Sequence, residues 1–176
     1  TNSYVGNAVA EYLGKYNEVM DAENYQETAG ATYHVDQVSL RDDTWKNKSF
    51  SEYDAIFHMV GIAHADVEHV SEETKQSYYD INCDLAVKVA KKAKQDGVKQ
   101  FVYMSSVILY GDSAKVGKQK NITADTTPAP ANFYGDSKWR AEQELTKIAA
   151  DDFQVALVRS PMIYGKNSKG NYRTLE

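Results

Sequence analysis

The run Asp54-Ala55-Ile56-Phe57-His58-Met59-Val60-Gly61 limits what this chain can fold into more than any other stretch. It is apolar almost continuously up to a glycine, the form taken by a strand buried on both faces of a parallel sheet. Its C-terminal end would face a ligand crevice. A helix follows: Ser71-Glu72-Glu73 opens it with acidic residues in the first turn, Ile81, Leu85, Val89 and Ala93 line one face, and Gly97 stops it. The Lys-rich end from Lys88 to Lys94 reads as a solvated face matched to the helix dipole. Asn82 sits on this helix among apolar neighbours, where asparagine is unfavourable by propensity. It therefore either faces water or bonds a neighbouring strand.

Val98 to Met104 reads as the next strand and runs directly into Ser105-Ser106-Val107-Ile108-Leu109-Tyr110-Gly111. This sets two hydroxyls at a strand's C-terminal end, where α/β sheets bind ligands. Residues 112 to 132 form a long polar loop carrying Pro128 and Pro130, a length common among lids and binding loops. A helix beginning near Phe133 continues through Ala141, Leu145 and Ile148. Gln154 to Val158 is a further buried strand, ending in Arg159-Ser160-Pro161-Met162-Ile163-Tyr164-Gly165. Strands alternating with helices predict an α/β fold built on a parallel, doubly wound sheet.

The first forty residues are less regular. Thr1-Asn2-Ser3-Tyr4-Val5-Gly6 leads into a helical pattern carrying Ala8, Val9, Ala10, Tyr12 and Leu13, with no strand before it. A strand, a Gly-rich turn and a helix N-terminus together cradle a pyrophosphate; here the turn and helix stand without the strand, and a polar tail before a surface helix is the competing reading. Glu18-Val19-Met20-Asp21 suits a short strand, and Thr32 to Leu40 alternates polar and apolar residues as a strand does. Either strand could end beside an adenosine ribose, so Asp21, Glu23, Arg41 and Asp42 compete for that place with the plainer reading of solvated surface charge.

Composition narrows the partners. A net charge of -5 leaves no basic excess for phosphate backbones or anionic membrane surfaces. No apolar run approaches the roughly 18 to 20 residues that span a bilayer, and the first residues lack a basic-then-apolar signal. Nucleic acid and membrane are thus excluded as expected partners. Cys83 is the single cysteine, which rules out an internal disulfide, suits a buried inert thiol and fits a cytoplasmic setting. His58 and His64 lack cysteine or carboxylate at ligand spacing, so ordinary polar contacts are expected of them and no metal site.

The chemistry concentrates in Phe133-Tyr134-Gly135-Asp136-Ser137-Lys138, where Tyr134 and Lys138 share a helix face one turn apart. A phenol is a poor base at neutral pH, but a fixed ammonium nearby favours the phenolate, which could then trade protons with a substrate hydroxyl. About one such spacing is expected by chance in a chain of this composition, so the pair gains weight only from its surroundings.

Those surroundings resemble the extended short-chain dehydrogenase/reductase family, in its NAD-dependent nucleotide-sugar epimerase/dehydratase branch. Five segments match in order: Asn2 to Gly6, Phe57 to Gly61, Ser105 to Gly111, Tyr134 to Lys138, and Arg159 to Gly165. The resemblance implies a Rossmann-like doubly wound sheet. It makes Tyr134 the proton-exchanging acid/base, Lys138 the group that lowers its pKa and holds the nicotinamide ribose, and Ser106 the hydroxyl that bonds the reacting substrate oxygen. It assigns NAD, with NADP as the alternative, to a surface made by Asn2, Ser3, Tyr4, Val5, Gly6, Arg41, Asp42, Met59, Val60, Gly61, Asn82, Ser105, Tyr134, Lys138, Pro161 and Met162.

The chain also departs from the family pattern. Gly6 matches the third glycine of the family's Gly-x-x-Gly-x-x-Gly loop, Ser3 replaces the second, and the first would fall before Thr1. Ser39 stands where an aspartate often lies near the adenine. The sheet is accordingly expected to be incomplete at both ends, with residues 1–176 forming part of one dinucleotide-binding domain and the sugar-binding domain absent. The family's dehydratases carry an acidic pair just after the catalytic hydroxyl, whereas Val107, Ile108 and Leu109 stand here. This favours an epimerase acting on a nucleotide sugar over a dehydratase, with a reductase using the same Tyr and Lys, or a binding module without chemistry, as the rivals. The resemblance further implies a homodimer paired through the helices around Asn82 and Tyr134.

Overall fold

The computed structural model describes residues 4–19, 34–63, 70–111 and 119–165. The chain divides into two compact units, Thr1–Lys48 and Ser49–Glu176.

In the first unit, helix α1 spans Tyr4–Val19. Tyr4, Val5 and Gly6 therefore form its first turn rather than a loop ahead of it, while Asn2 and Ser3 lie outside the described residues. Glu18 and Val19, expected to open a short strand, instead end this helix. A lone Gly14 costs a helix only about 1 kcal/mol, too little to stop one flanked by alanine, leucine and lysine. Residues 34–40 have no regular secondary structure, against the strand expected from Thr32 to Leu40. Alternation describes which side chains share a face, but a strand also needs a neighbour for its backbone ladder. Asp42 instead caps a 3-10 turn over Asp43–Asn47, its Oδ1 accepting from the Thr44 amide at 3.0 Å. Asp21 and Glu23 lie outside the described residues, as does His64.

The second unit holds a sheet of three described strands, β1 (Ala55–His58), β2 (Gln100–Ser106) and β3 (Gln154–Ser160), in the order β1-β2-β3. Both pairings are parallel: His58 lies opposite Tyr103, and Ser105 and Ser106 lie opposite Arg159 and Ser160. Each crossover is helical. Between β1 and β2 run α2 (Glu72–Tyr78), a π-helical segment (Tyr79–Leu85) and α3 (Ala86–Gln95) as one continuous rod. Between β2 and β3 runs α4 (Phe133–Ile148). Sequential parallel strands linked by helices make one flank of a doubly wound sheet.

The ends of these helices follow their local chemistry. Ser71 accepts from the Thr74 amide at 3.1 Å, and Gly97 terminates the rod with φ +89°. The Lys-rich end is more than a solvated face, since Lys94 donates to the Ile148 carbonyl at the end of α4 (2.8 Å) and Lys92 pairs with Asp96 at 2.8 Å. α3 and α4 pack on each other and on β2. Phe101, Tyr103 and Ser105 are consequently buried, while Val102, Met104 and Ser106 between them are half-covered. β1 departs from the expectation of burial on both faces: Ala55 is exposed, Ile56 and Phe57 are half-buried, and only His58 is fully enclosed. It pairs on one side only among the described strands, and the helix pair covers one face. Cys83 is buried and its thiol is pushed up to about 11, which leaves it inert as expected.

Candidate active site

Strand β2 ends at Ser106, and the chain then tightens into a 3-10 turn over Val107–Tyr110. Ser106 caps this turn by accepting from the Ile108 amide at 3.3 Å. Asn132 caps α4 in the same manner, its Oδ1 accepting from the Gly135 amide at 2.9 Å. The two capped ends press together at Gly135, where an added Cβ would lie 3.0 Å from the Ile108 carbonyl oxygen and 3.1 Å from Pro130 Cβ. Glycine here serves approach rather than backbone freedom, and it brings the neighbouring Tyr134 to Ser106. The Ser106 hydroxyl is the group that acts on the Tyr134 phenol to ease its ionisation.

Burial raises the Tyr134 pKa above its ordinary value, and the Ser106 hydroxyl pulls it back in part. Lys138, one turn along, is buried at 5% exposure. Its ammonium donates to the Met104 carbonyl at 2.9 Å and lies 4.7 Å from the centre of the Tyr103 ring. Burial pushes its pKa down to about 8, with Glu142 acting in the opposite direction. The i, i+4 spacing thus sets both groups on one face, as the sequence indicated. In this arrangement, however, Ser106 is the group that eases ionisation of the phenol.

Asn82 decides the next layer. It is fully buried and so does not face water, and it bonds the segment after β1 rather than a strand proper: its Oδ1 accepts from the Ile62 amide at 2.8 Å, and its Nδ2 donates to the Ile62 carbonyl (3.1 Å) and to Ser137 Oγ (3.0 Å). One side chain therefore ties the segment after β1 to α4. The π-helical register around it frees backbone acceptors, and Tyr103 donates its hydroxyl to the Asn82 carbonyl at 2.7 Å. Gly61 lies under this latch, where a Cβ would stand 2.9 Å from Asn82 Oδ1 and 3.0 Å from Lys138 Nζ. Gly61, Asn82, Lys138, Tyr134 and Ser106 are thus brought together, as the sequence grouped them. Met59 is half-buried and Val60 is exposed beside Gly61.

Three polar atoms near this centre are buried without a partner among the described residues, Ser105 Oγ, His58 Nε2 and the hydroxyl of Tyr78, whose ring lies 6.0 Å from that of Tyr134. His58 stacks on Phe101 and Tyr103, with ring centroids 5.7 and 6.0 Å away. Burial first, and the Lys138 charge second, bring its pKa down to about 3, so the imidazole is neutral.

The sequence reading gave no part to Arg159 and Glu142 as a pair. Glu142, 1% exposed and one turn beyond Lys138, receives Arg159 Nε at 3.1 Å on each oxygen and Arg159 Nη2 at 2.6 Å. Arg159 also bonds the Tyr110 hydroxyl. A carboxylate at i+4 from Lys138, beside Ala141 and Leu145 on the apolar face, was the available signal. Pro161 and Met162 follow β3 at an exposed position. Tyr4, Val5 and Gly6 belong to α1 of the other unit, which also holds Arg41, exposed, and Asp42, whose carboxyl the Thr44 contacts hold below its usual value.

Comparisons with known proteins agree with this layout. A profile of the NAD dependent epimerase/dehydratase family matches residues 1–175. A UDP-glucose 4-epimerase of Vibrio cholerae is 31% identical over 121 residues, which is 68% of this chain and 36% of that protein. The chain therefore spans little more than a third of this relative's length. Among solved structures, UDP-glucuronic acid 4-epimerase from Bacillus cereus in complex with NAD is similar with a TM-score of 0.59 at 19% identity, covering 74% of this chain and 39% of that one. RMD from Pseudomonas aeruginosa, complexed with NADPH, also gives 0.59 at 22% identity, covering 85% and 49%. These two likenesses carry the fold, a Rossmann-like α/β arrangement of which this chain is a part.

Proposed function

Because the chain belongs to the NAD-dependent epimerase/dehydratase family, we propose that it is part of a nucleotide-sugar epimerase that uses NAD. The observation that carries this reading is a buried Lys138 that donates to the Met104 carbonyl at 2.9 Å, one helical turn from Tyr134, at the end of a parallel strand that finishes in Ser106. The site's residues fit a dinucleotide. Gly61 has no room for a side chain beneath the Lys138 ammonium, and Ser105 Oγ is buried without a partner among the described residues. Lys138 and Ser105 would hold the nicotinamide ribose end, Pro161 and Met162 would border the ring, and Gly61 with Met59 and Val60 would line the adenosine side. That the family match runs across both units supports reading residues 1–176 as part of one dinucleotide-binding domain.

When bound, NAD supplies the reversible two-electron acceptor that a sugar carbon requires. The protein does the proton work. Ser106 holds the sugar oxygen, and Tyr134 as phenolate takes its proton while the hydroxyl carbon becomes a carbonyl. Burial opposes that phenolate and the Ser106 hydroxyl favours it; the positive charge of Lys138, one turn along, would add to that. On return Tyr134 gives the proton back, and reduction of the opposite face of the keto sugar inverts the centre with no net redox change. The turn that follows Ser106 presents Val107, Ile108 and Leu109 and brings no carboxylate for an elimination, which favours epimerisation over dehydration.

A homodimer formed through the helices around Asn82 and Tyr134 and a cytoplasmic setting belong to the same proposal, the latter supported by a single, buried cysteine. Among the described residues no helix is long and apolar enough to cross a membrane. The test is to add UDP-glucose and related sugar nucleotides with catalytic NAD to the intact protein and follow both the isomers and the cofactor absorbance. Interconversion of 4-epimers without accumulation of reduced cofactor is expected. Stoichiometric consumption of NADH or NADPH would replace the epimerase reading with a reductase.

A further inference from the structure

A buried ammonium needs a counter-charge if it is to stay protonated near neutral pH. Lys138 is faced by His58 from β1, Tyr103 from β2 and Glu142 from α4. His58 is neutral, and Tyr103 is neutral too, its pKa raised well above the ordinary value by burial. Glu142 is the one carboxylate among the described residues that acts on Lys138. It is held by Arg159 from β3 through contacts to both its oxygens. The same guanidinium lies 5.3 Å from the Tyr110 ring centre and bonds that residue's hydroxyl, at the end of the turn that Ser106 begins. One planar fork thus joins β3, α4 and the turn after β2, a task for which lysine's point charge is poorly suited.

We infer that Arg159 and Glu142 are positioning residues for Lys138: the guanidinium fixes a buried carboxylate one helical turn from the ammonium, and that fixed charge keeps Lys138 in its cationic form. The inference rests on the reading of Lys138 as the group that holds the cofactor ribose and favours the Tyr134 phenolate. Neither Arg159 nor Glu142 touches the reacting atoms, so both act through Lys138. Neutralising Glu142 would leave Lys138 to shed its proton earlier. Removing Arg159 would take away the fork that fixes the Glu142 carboxylate one turn from Lys138, and with it that support.

The test uses the 176-residue chain labelled with 13Cε-lysine, followed by NMR as pH is raised, with Lys138→Arg identifying the resonance by its loss. In Glu142→Gln the Lys138 midpoint is expected to fall by about one pH unit, the size of a unit charge a helical turn away at moderate effective dielectric. Glu142→Asp, which keeps the charge, should restore most of the shift. Arg159→Gln should lower the midpoint as well, and it carries the test if Glu142→Gln loses its far-UV circular dichroism. A midpoint that stays at the wild-type value in the folded variants overturns the inference, as does an equal fall in Glu142→Gln and Glu142→Asp. NAD titration of the wild type separates the two levels. A wild type that binds no dinucleotide refutes the cofactor reading while the lysine midpoints still report on the pair. Intact binding with unmoved midpoints refutes the pair alone.

Discussion

Replacing Asn82 by alanine tests whether one buried amide holds the site together. The change removes the bond from the Ile62 amide to Oδ1 at 2.8 Å and the bonds from Nδ2 to the Ile62 carbonyl and to Ser137 Oγ at 3.1 and 3.0 Å. Ser137 keeps its own bond to the Tyr134 carbonyl at 2.8 Å, and Ile62 is only half-buried, so water can reach part of what is freed. Each bond is then worth about 1 kcal/mol, near the average for an intramolecular hydrogen bond. The sum is about 3 kcal/mol. For a unit of this size that corresponds to a fall in Tm of roughly 10 to 15 °C. Urea denaturation followed by circular dichroism measures it directly, with the slope of the transition showing that the folded state stays compact. Because the amide pins the segment after β1, NAD affinity should fall with stability, and fluorescence titration of the folded variant reads that effect separately. A loss under about 1 kcal/mol with unchanged NAD affinity would mean that the contacts are incidental, and the latch argument would fail.

Other expectations follow from single contacts. Tyr134→Phe should lower turnover of the intact enzyme by about a thousandfold or more, within reach of a lost acid/base, while NAD binding stays nearly unchanged; full activity would remove Tyr134 from the chemistry. In an open helix interior Gly135→Ala would gain about 1 kcal/mol. Here the new Cβ meets the Ile108 carbonyl oxygen at 3.0 Å, so the variant should instead unfold at lower urea and lose turnover as Tyr134 is moved from Ser106. His58 titrates near pH 3 when folded against an ordinary 6.5, so between those values the unfolded chain binds a proton that the folded chain does not. Stability should therefore fall as pH is lowered through that window, and His58→Phe should flatten the acid limb of urea midpoint against pH. Lys138 works in the alkaline range: its pKa near 8 lies below the ordinary 10.5, so its contribution to stability rises with pH between the two, and Lys138→Met should abolish that slope.

Much of the second unit was legible from residue order. Ser71 and Gly97 bound the first crossover helix, β2 and β3 lie where apolar runs end in polar residues, and α4 begins at Phe133 as expected. The i, i+4 relation of Tyr134 and Lys138 is likewise a property of any helix. These features are local, set by backbone geometry and side-chain chemistry within a few residues. The strand expected from Thr32 to Leu40 failed because pairing is not local: alternation offers a face, and a ladder requires a partner.

Asn82 shows the boundary between the two kinds of information. Its presence on an apolar helix marked it as unusual, yet nothing near it in sequence could say that its partners would be Ile62, 20 residues before, and Ser137, 55 residues after. Glu142 and Arg159 stand 17 residues apart on different elements, and only the parallel register of β2 with β3 brings Arg159 opposite Ser105. The sequence by itself determined the elements, their caps and the Tyr-Lys spacing, because each depends on interactions along one stretch of chain. The tertiary structure decided how the phenol meets Ser106, where the ammonium rests, and which charge faces it. Those depend on burial and long-range pairing, which act only once distant segments share one interior.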